Sequence, residues 1–244
     1  MKKILCAAAA AVLALLPAMA EDVFYKVGPF DRLSVRGDIN VVYRCVPDST
    51  GFARYDDSRA KEEPFELYVK KGKLQVKTPE PGNGTVTAPT LYVYSDFLTS
   101  VDYEGCGTLS VVLPIATPKF SAKLIGNGKL IVDGIKSTDV SINFPTGNGT
   151  IVATGQCEKL GISMLGTGTV QADGLRADNV NCNVMGTGSI GCWAQESLDV
   201  RGIGTTKVYY KGDPEVHKVG GSKIFPLTKE EEAAPSIEKE ESLD

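Results

Sequence analysis

Histidine is almost missing from this chain of 244 residues, because His217 is its only copy. Zinc centres use several histidines or closely paired cysteines, and the sequence contains no C-x-x-C pair. No serine or cysteine pattern accompanies His217 as a catalytic triad would require, so we interpret it as a surface residue. We therefore expect neither a metal site nor another cofactor.

Clusters of positive charge are also missing. The chain has 26 Lys and Arg against 30 Asp and Glu, a net charge of −4, and most of the acidic excess lies in the C-terminal segment. Nucleic-acid binding requires grouped basic residues, so no such partner is expected. The composition predicts an acidic disordered tail over residues 227–244.

Long apolar runs are limited to the N terminus. Two lysines precede the apolar run Ile4–Leu16, and Ala18-Met19-Ala20 has the small-residue pattern of a cleavage site. These features predict a signal peptide over residues 1–20 and export of a chain that begins at Glu21. No later stretch has the apolar length of a membrane-spanning helix.

Glycine, by contrast, is abundant and evenly spaced. A Gly-x-Gly corner recurs in steps of 21, 21, 19, 20 and 16 residues. The six copies are Gly105-Cys106-Gly107, Gly126-Asn127-Gly128, Gly147-Asn148-Gly149, Gly166-Thr167-Gly168, Gly186-Thr187-Gly188 and Gly202-Ile203-Gly204. A period near twenty residues is typical of a solenoid. Glycine suits its bends, because glycine adopts positive φ easily and lets stacked backbones approach closely.

Short strand patterns flank every corner in the same register. Apolar and polar residues alternate in them, as in strands with one buried face. Equivalent inward positions form apolar columns, of which one reads Ile142, Ile162, Cys182 and Val200. These columns predict an all-β fold, a single-stranded parallel β-helix with three sides, a right-handed coil and about 20 residues per rung.

The β-helix domain is predicted over residues 21–226, with irregular first turns at 21–104 and regular rungs at 105–226. In the first turns, the strands predicted are Leu33–Arg36, Ile39–Cys45, Phe65–Lys70, Leu74–Lys77, Leu91–Tyr94 and Leu98–Tyr103. Asp48–Pro64 and Pro79–Pro89 are rich in charge, proline and glycine, and both are predicted to be loops.

Five of the six cysteines follow the signal segment. An odd number leaves at least one thiol unpaired in an exported protein. Cys45, Cys182 and Cys192 share the parity of inward apolar residues and read as small core side chains. No two cysteines occupy equivalent positions in adjacent rungs, so the spacing favours free thiols over disulfides.

The segments "FDRLSVRGDINVVYRC" (30–45), "PTLYVYSDFLTSVDYEGCGTL" (89–109) and "GTTKVYYKGDPEV" (204–216) resemble the auto-transporter adhesins with a head GIN domain. The similarity extends from Phe30 to Phe225, although many corners of that family read Gly-Ser-Gly. The resemblance implies a secreted parallel β-helix of Gram-negative bacteria, in the periplasm, at the outer-membrane surface or outside the cell. It supplies no catalytic residues.

Two groups of side chains are candidates for a binding surface. Asp133, Thr154 and Asp173 are predicted to share an outward column, where carboxylates could bind calcium or cleave a polysaccharide, although a solvated face is the favoured interpretation. Tyr92 and Tyr94 share one parity. They would form a sugar-binding strip if they point outward and a cap on the coil if they point inward, and the inward cap is favoured.

The function that the sequence favours is a non-enzymatic exported module that displays repeated polar columns to a surface glycan or an envelope protein. The alternative is a carbohydrate-active enzyme on the same scaffold, with Asp133, Asp173, Lys129 and Lys207 as its nearest candidates. A third hypothesis is an assembly accessory whose acidic tail recruits a basic partner. Oligomerisation is left open, because a rod has exposed ends.

Overall fold

A computed structural model of the chain describes residues 22–46, 50–56, 65–78 and 89–227. These residues form one sheet of 17 strands. The strands are Asp22–Lys26 (β1), Arg32–Arg36 (β2), Val41–Cys45 (β3), Phe52–Asp56 (β4), Glu66–Lys70 (β5), Lys73–Lys77 (β6), Leu91–Ser95 (β7), Ser100–Glu104 (β8), Thr108–Val112 (β9), Thr117–Ile125 (β10), Lys129–Thr146 (β11), Thr150–Met164 (β12), Thr169–Gly186 (β13), Ser189–Gly204 (β14), Lys207–Lys211 (β15), Glu215–Gly220 (β16) and Lys223–Pro226 (β17). The predicted signal peptide, most of the predicted loop Pro79–Pro89 and the predicted tail from residue 228 lie outside the described residues.

The sheet curls into a solenoid of about 6 turns, with equivalent positions about 20 residues apart. In the regular rungs the strands are stacked in parallel and in the register that the sequence predicts. Ile142 lies opposite Ile162, which lies opposite Cys182, which in turn lies opposite Val200. The predicted all-β solenoid and its apolar columns are therefore confirmed.

Each regular rung has three sides, which we number along the chain around the Gly-x-Gly corner. The first side precedes the corner and holds β8, β10, β16 and the last residues of β11–β14. The second side follows the corner and holds β9, β15 and the first residues of β11–β14. The third side contains the middle residues of the long strands and leads from the second side to the first side of the next rung. Register shifts mark the bend onto it, between Val132 and Ile135 in one rung and between Ala172 and Arg176 in another.

The core fills the axis of the coil with inward side chains from all three sides. Leu130, Ile142 and Ile162 are almost completely buried, and Cys182 and Cys192 are buried with them as predicted. A hydrogen bond with Cys192 and burial together raise the pKa of the Cys182 thiol well above its ordinary value. Cys45 departs from the prediction, because it is half-buried at the end of β3 and donates to the carbonyl of Asp96 at 2.7 Å.

The corner glycines meet two separate demands. Gly147 has φ +115°, a left-handed conformation that side chains other than glycine rarely adopt. Gly128 has no positive φ, but a Cβ atom there would lie 2.8 Å from the carbonyl oxygens of Gly105 and Gly107. Glycine is thus required at some corners by the turn and at others by the close stacking of successive backbones.

The first turns contain antiparallel strand pairing that the sequence did not predict. β4 pairs antiparallel with both β1 and β7, and β5 forms an antiparallel hairpin with β6. The prediction that Asp48–Pro64 is only a loop is therefore wrong, because β4 occupies its centre. Ala53 and Tyr55 of β4 are buried, but an alternation of so few residues is hard to recognise among charged neighbours.

Candidate functional site

The predicted column of Asp133, Thr154 and Asp173 is divided in the structure. The hydroxyl of Thr154 donates a hydrogen bond to Asp133, and the same oxygen accepts one from the Gly134 backbone N–H at 3.3 Å. The register places Thr154 opposite Gly174, so Asp173 lies outside the column. The carboxylate of Asp173 instead pairs with Lys211 at 3.5 Å.

These contacts bear on the enzymatic alternative. A glycoside hydrolase needs two carboxyl groups facing one bond, with one of them protonated. Asp133 and Asp173 each face a different partner within the fold. Lys129 and Lys207 belong to a column at the opposite end of the second-side strands. The four residues therefore do not converge on one patch.

Tyr92 and Tyr94 point outward, so the favoured prediction of an inward cap is wrong. Both are half-buried on the outer face of β7, where they alternate with buried residues. The Arg54 guanidinium covers the ring of Tyr92, with 4.6 Å between its central carbon and the ring centroid. Tyr43 and Tyr103 fill the core of the first turns instead, and each hydroxyl has a partner there.

An open depression lies on the third side, where no site was predicted. It is an open groove of about 650 Å³ that spans four successive turns. We name it the third-side groove. Its lining residues are Ala116, Thr117, Pro118, Lys136, Ser137, Thr138, Gln156, Cys157, Glu158, Arg176 and Asp178.

Two columns of polar side chains border the third-side groove. Lys136, Gln156 and Arg176 lie opposite one another in successive rungs and form a basic edge. Glu158 and Asp178 follow two residues further along their strands, with Thr138 beside them, and form an acidic edge. Since adjacent rungs are about 4.8 Å apart, Lys136 and Arg176 are about 10 Å apart along the axis.

The four charged groups of the groove have no partner within the described part of the fold. Lys136, Arg176, Glu158 and Asp178 enter none of its ion pairs, although several other charged residues do. The two carboxylates stand on adjacent rungs, where like charges disfavour each other. The groove thus offers both signs of charge to a ligand, whereas Asp133 and Asp173 are engaged inside the fold.

The floor between the two edges is polar, but its thiol is not reactive. The hydroxyls of Thr117 and Ser137 are hydrogen-bonded at 2.9 Å. Cys157 lies next to Ser137 in the same column, and burial, helped by Asp178 and Asp139, raises its pKa to about 12. A thiol that stays protonated at neutral pH is a poor nucleophile, so Cys157 is not suited to covalent chemistry.

The sequence does carry a signal for this groove. Triplets with polar outer residues recur just after the bend onto the third side, 20 residues apart in three rungs: "KST" (136–138), "QCE" (156–158) and "RAD" (176–178). Their letters differ, so the repetition shows only when the rungs are aligned at this spacing. The middle residue is half-buried or buried in each rung, while its two neighbours are exposed or half-buried.

Among the described residues, no three His, Cys, Asp or Glu side chains converge where they could hold a metal ion. His217 lies on the exposed strand β16 with Glu215 at 3.4 Å. In the same described ranges, no helix is long and apolar enough to cross a membrane.

The sequence profile of the family described as "Putative auto-transporter adhesin, head GIN domain" matches residues 59–214. The chain belongs to this family. Among curated proteins, none matches the sequence.

Solved structures share the fold of this adhesin-family chain. A "putative adhesin" of Bacteroides fragilis superposes with a TM-score of 0.73 at 19% identity, covering 85% of this chain and 96% of its own. A "putative lipid binding protein" of Parabacteroides distasonis gives 0.63 at 18% identity, and a "putative adhesin" of Parabacteroides merdae gives 0.62 at 19%, both with the same coverage of the two chains. At such identities the similarity establishes the fold alone.

Proposed function

We propose that this chain is an exported, non-enzymatic adhesin-type module, which binds a surface glycan or an envelope protein through the lateral face of its solenoid. The observation that carries the proposal is the third-side groove, whose four charged groups have no partner in the described fold. Unpaired charges at rung spacing are available to a ligand, and a rigid scaffold holds them in fixed positions.

The family and the N-terminal sequence support this proposal. The family description names adhesins, and the apolar run Ile4–Leu16 with its cleavage pattern predicts export. The outward carboxylates that suggested an enzyme are divided between separate partners. Binding without chemistry is therefore the function that the arrangement of side chains supports best.

Adhesion to intact cells tests the proposal. The mature chain from Glu21, carrying a fluorescent label, should bind bacterial or host cells. A variant with all four groove charges neutralised, Lys136→Gln, Glu158→Gln, Arg176→Gln and Asp178→Asn, should lose that binding. Because the replaced groups are unpaired, the variant should keep its stability. A folded variant that still binds cells as the wild type does would show that the groove is not the adhesive site.

Protease treatment of intact cells tests the location. Trypsin should release peptides of the solenoid from cells if the protein stands at the outer surface. Peptides that appear only after the outer membrane is permeabilised would place the protein in the periplasm, and would contradict a role in adhesion to other cells.

A further inference from the structure

The third-side groove also indicates which class of ligand it takes. We infer that it binds an acidic polysaccharide, with uronic-acid carboxylates on the basic edge and sugar hydroxyls on the acidic edge. This inference rests on the proposed binding function and adds the ligand's chemistry to it. The alternative ligand for such a groove is an extended peptide, and the described contacts favour the glycan.

A peptide would find few of its usual contacts in the groove. Extended peptides bind proteins by adding a strand to an open sheet edge. The strands below the groove, β11, β12 and β13, are each paired with a neighbour on both sides. The first residues of β10 are paired only with β11, but Pro118 there has no backbone N–H to donate to an added strand. The lining also lacks the aromatic or large aliphatic side chains that form pockets for apolar residues.

The basic edge fits carboxylates. Arg176 offers a planar fork that binds a carboxylate bidentately, and Lys136 offers a compact charge two rungs away. Both are exposed and have no partner in the described structure. Their separation of about 10 Å, from the rung spacing, is comparable to the length of two linked sugars, so one chain along the axis can reach both.

The acidic edge fits hydroxyls rather than a second anion. Glu158 and Asp178 are hydrogen-bond acceptors on adjacent rungs, which lie about 4.8 Å apart, and their like charges repel each other. The hydroxyls of a sugar ring donate to both carboxylates, which satisfies them without adding charge. In a groove that selected only for negative charge, these carboxylates would repel the ligand. The acidic edge is therefore the part that recognises the sugar hydroxyls.

Titration calorimetry on the mature chain with short oligogalacturonate tests the inference. Neutral dextran oligomers and poly-L-glutamate serve as comparison ligands, since the first lacks carboxylates and the second lacks sugar hydroxyls. We expect oligogalacturonate to bind more tightly than either. Equal binding of poly-L-glutamate would show adsorption of any polyanion, and no binding of oligogalacturonate would exclude this ligand class; both results would overturn the inference.

Variants assign the roles of the two edges. Lys136→Gln with Arg176→Gln should weaken binding roughly tenfold or more, because charge-assisted hydrogen bonds are lost. The matched control, Arg201→Gln with Lys207→Gln, makes the same change in net charge at exposed residues outside the groove and should stay within about twofold.

Asp178→Ala distinguishes sugar recognition from simple charge attraction. If Asp178 accepts a sugar hydroxyl, its removal weakens the binding of oligogalacturonate. If the groove is only a positive patch, removal of a negative charge strengthens it, and that result would overturn the inference. If the protein binds cells through the groove but does not bind oligogalacturonate, the ligand class is refuted while the proposed adhesive function stands.

Discussion

Replacement of Gly128 by alanine tests how closely the rungs are stacked. The new Cβ atom would lie 2.8 Å from Gly105 O, from Gly107 O and from Tyr103 Cε1. Ordinary contacts begin at 3.4 Å, so the neighbouring corner must move by several tenths of an ångström. Two of the three atoms belong to backbone, which cannot rotate away.

The expected cost follows from what that movement disturbs. Gly105 O and Gly107 O accept hydrogen bonds from the backbone N–H groups of Gly128 and Lys129, each at 2.9 Å. Weakening two such bonds costs up to about 1 kcal/mol each. Strain in a tightly packed site adds about 1–3 kcal/mol. We expect Gly128→Ala to lower the free energy of unfolding by about 2–4 kcal/mol.

Gly161 provides the matched control in the same solenoid. It lies within β12, has no positive φ, and a Cβ atom there would meet only Val140 O, at 3.8 Å. Alanine costs less conformational entropy than glycine in a strand, so Gly161→Ala should raise stability by about 0.5–1 kcal/mol.

Guanidinium denaturation followed by far-UV circular dichroism measures both variants. The guanidinium concentrations at half-unfolding should move in opposite directions for the two variants. The dependence of the unfolding free energy on denaturant should stay that of the wild type. Equal midpoints for the two variants would refute the argument that glycine is required at position 128 by the close stacking of backbones rather than by its conformational flexibility.

The remaining predictions concern the core and the thiols. Phe144→Ala should lower the free energy of unfolding by about 3–5 kcal/mol because Phe144 is fully buried, whereas Phe97→Ala at a partly exposed position should cost far less; urea titration measures both. Iodoacetamide at pH 8 should label the exposed Cys106 in the native protein much faster than the buried Cys157, as peptide mass spectrometry would show, and equal rates would contradict the burial. Burial raises the pKa of Cys157 and of Tyr103 to about 12, from ordinary values of 9.0 and 10.0. The buried, protonated thiol and phenol therefore stabilise the fold fully below pH 9, and this stabilisation is lost as the pH rises towards 12. Denaturant midpoints of unfolding that stay constant from pH 9 to 11 would contradict the raised pKa values.

The regular rungs could be predicted from the sequence because their signals repeat. Each rung contains the same corner and the same alternation of apolar residues. A rung whose own pattern is ambiguous can therefore be assigned by alignment with its neighbours. The first turns have no such redundancy. β4 was missed because its five residues stand alone among charges, and its antiparallel pairing with β1 and β7 depends on strands far away in the chain.

Parity alone could not settle which way an aromatic column faces. Tyr92 and Tyr94 alternate with Leu91 and Val93, and either pair could have filled the core. The smaller aliphatic pair is buried because the column of Val41 and Leu109 stacks against Leu91, and aliphatic side chains of similar size pack best in register. The tyrosines then face outward, where Arg54 covers Tyr92.

The third-side groove shows why a binding site on a solenoid can escape a search for sequence motifs. No single rung contains a recognisable site, since Lys136, Glu158 and Arg176 are ordinary surface residues of different triplets. The stacking of rungs brings them together, because positions about 20 residues apart in sequence become neighbours about 4.8 Å apart in space. A site of this kind varies by single substitutions at solvent-facing positions, without disturbing the inward columns that hold the fold. The same scaffold can therefore present different charge patterns on the third side, and under the proposed function those few positions, rather than the glycine corners, set the ligand.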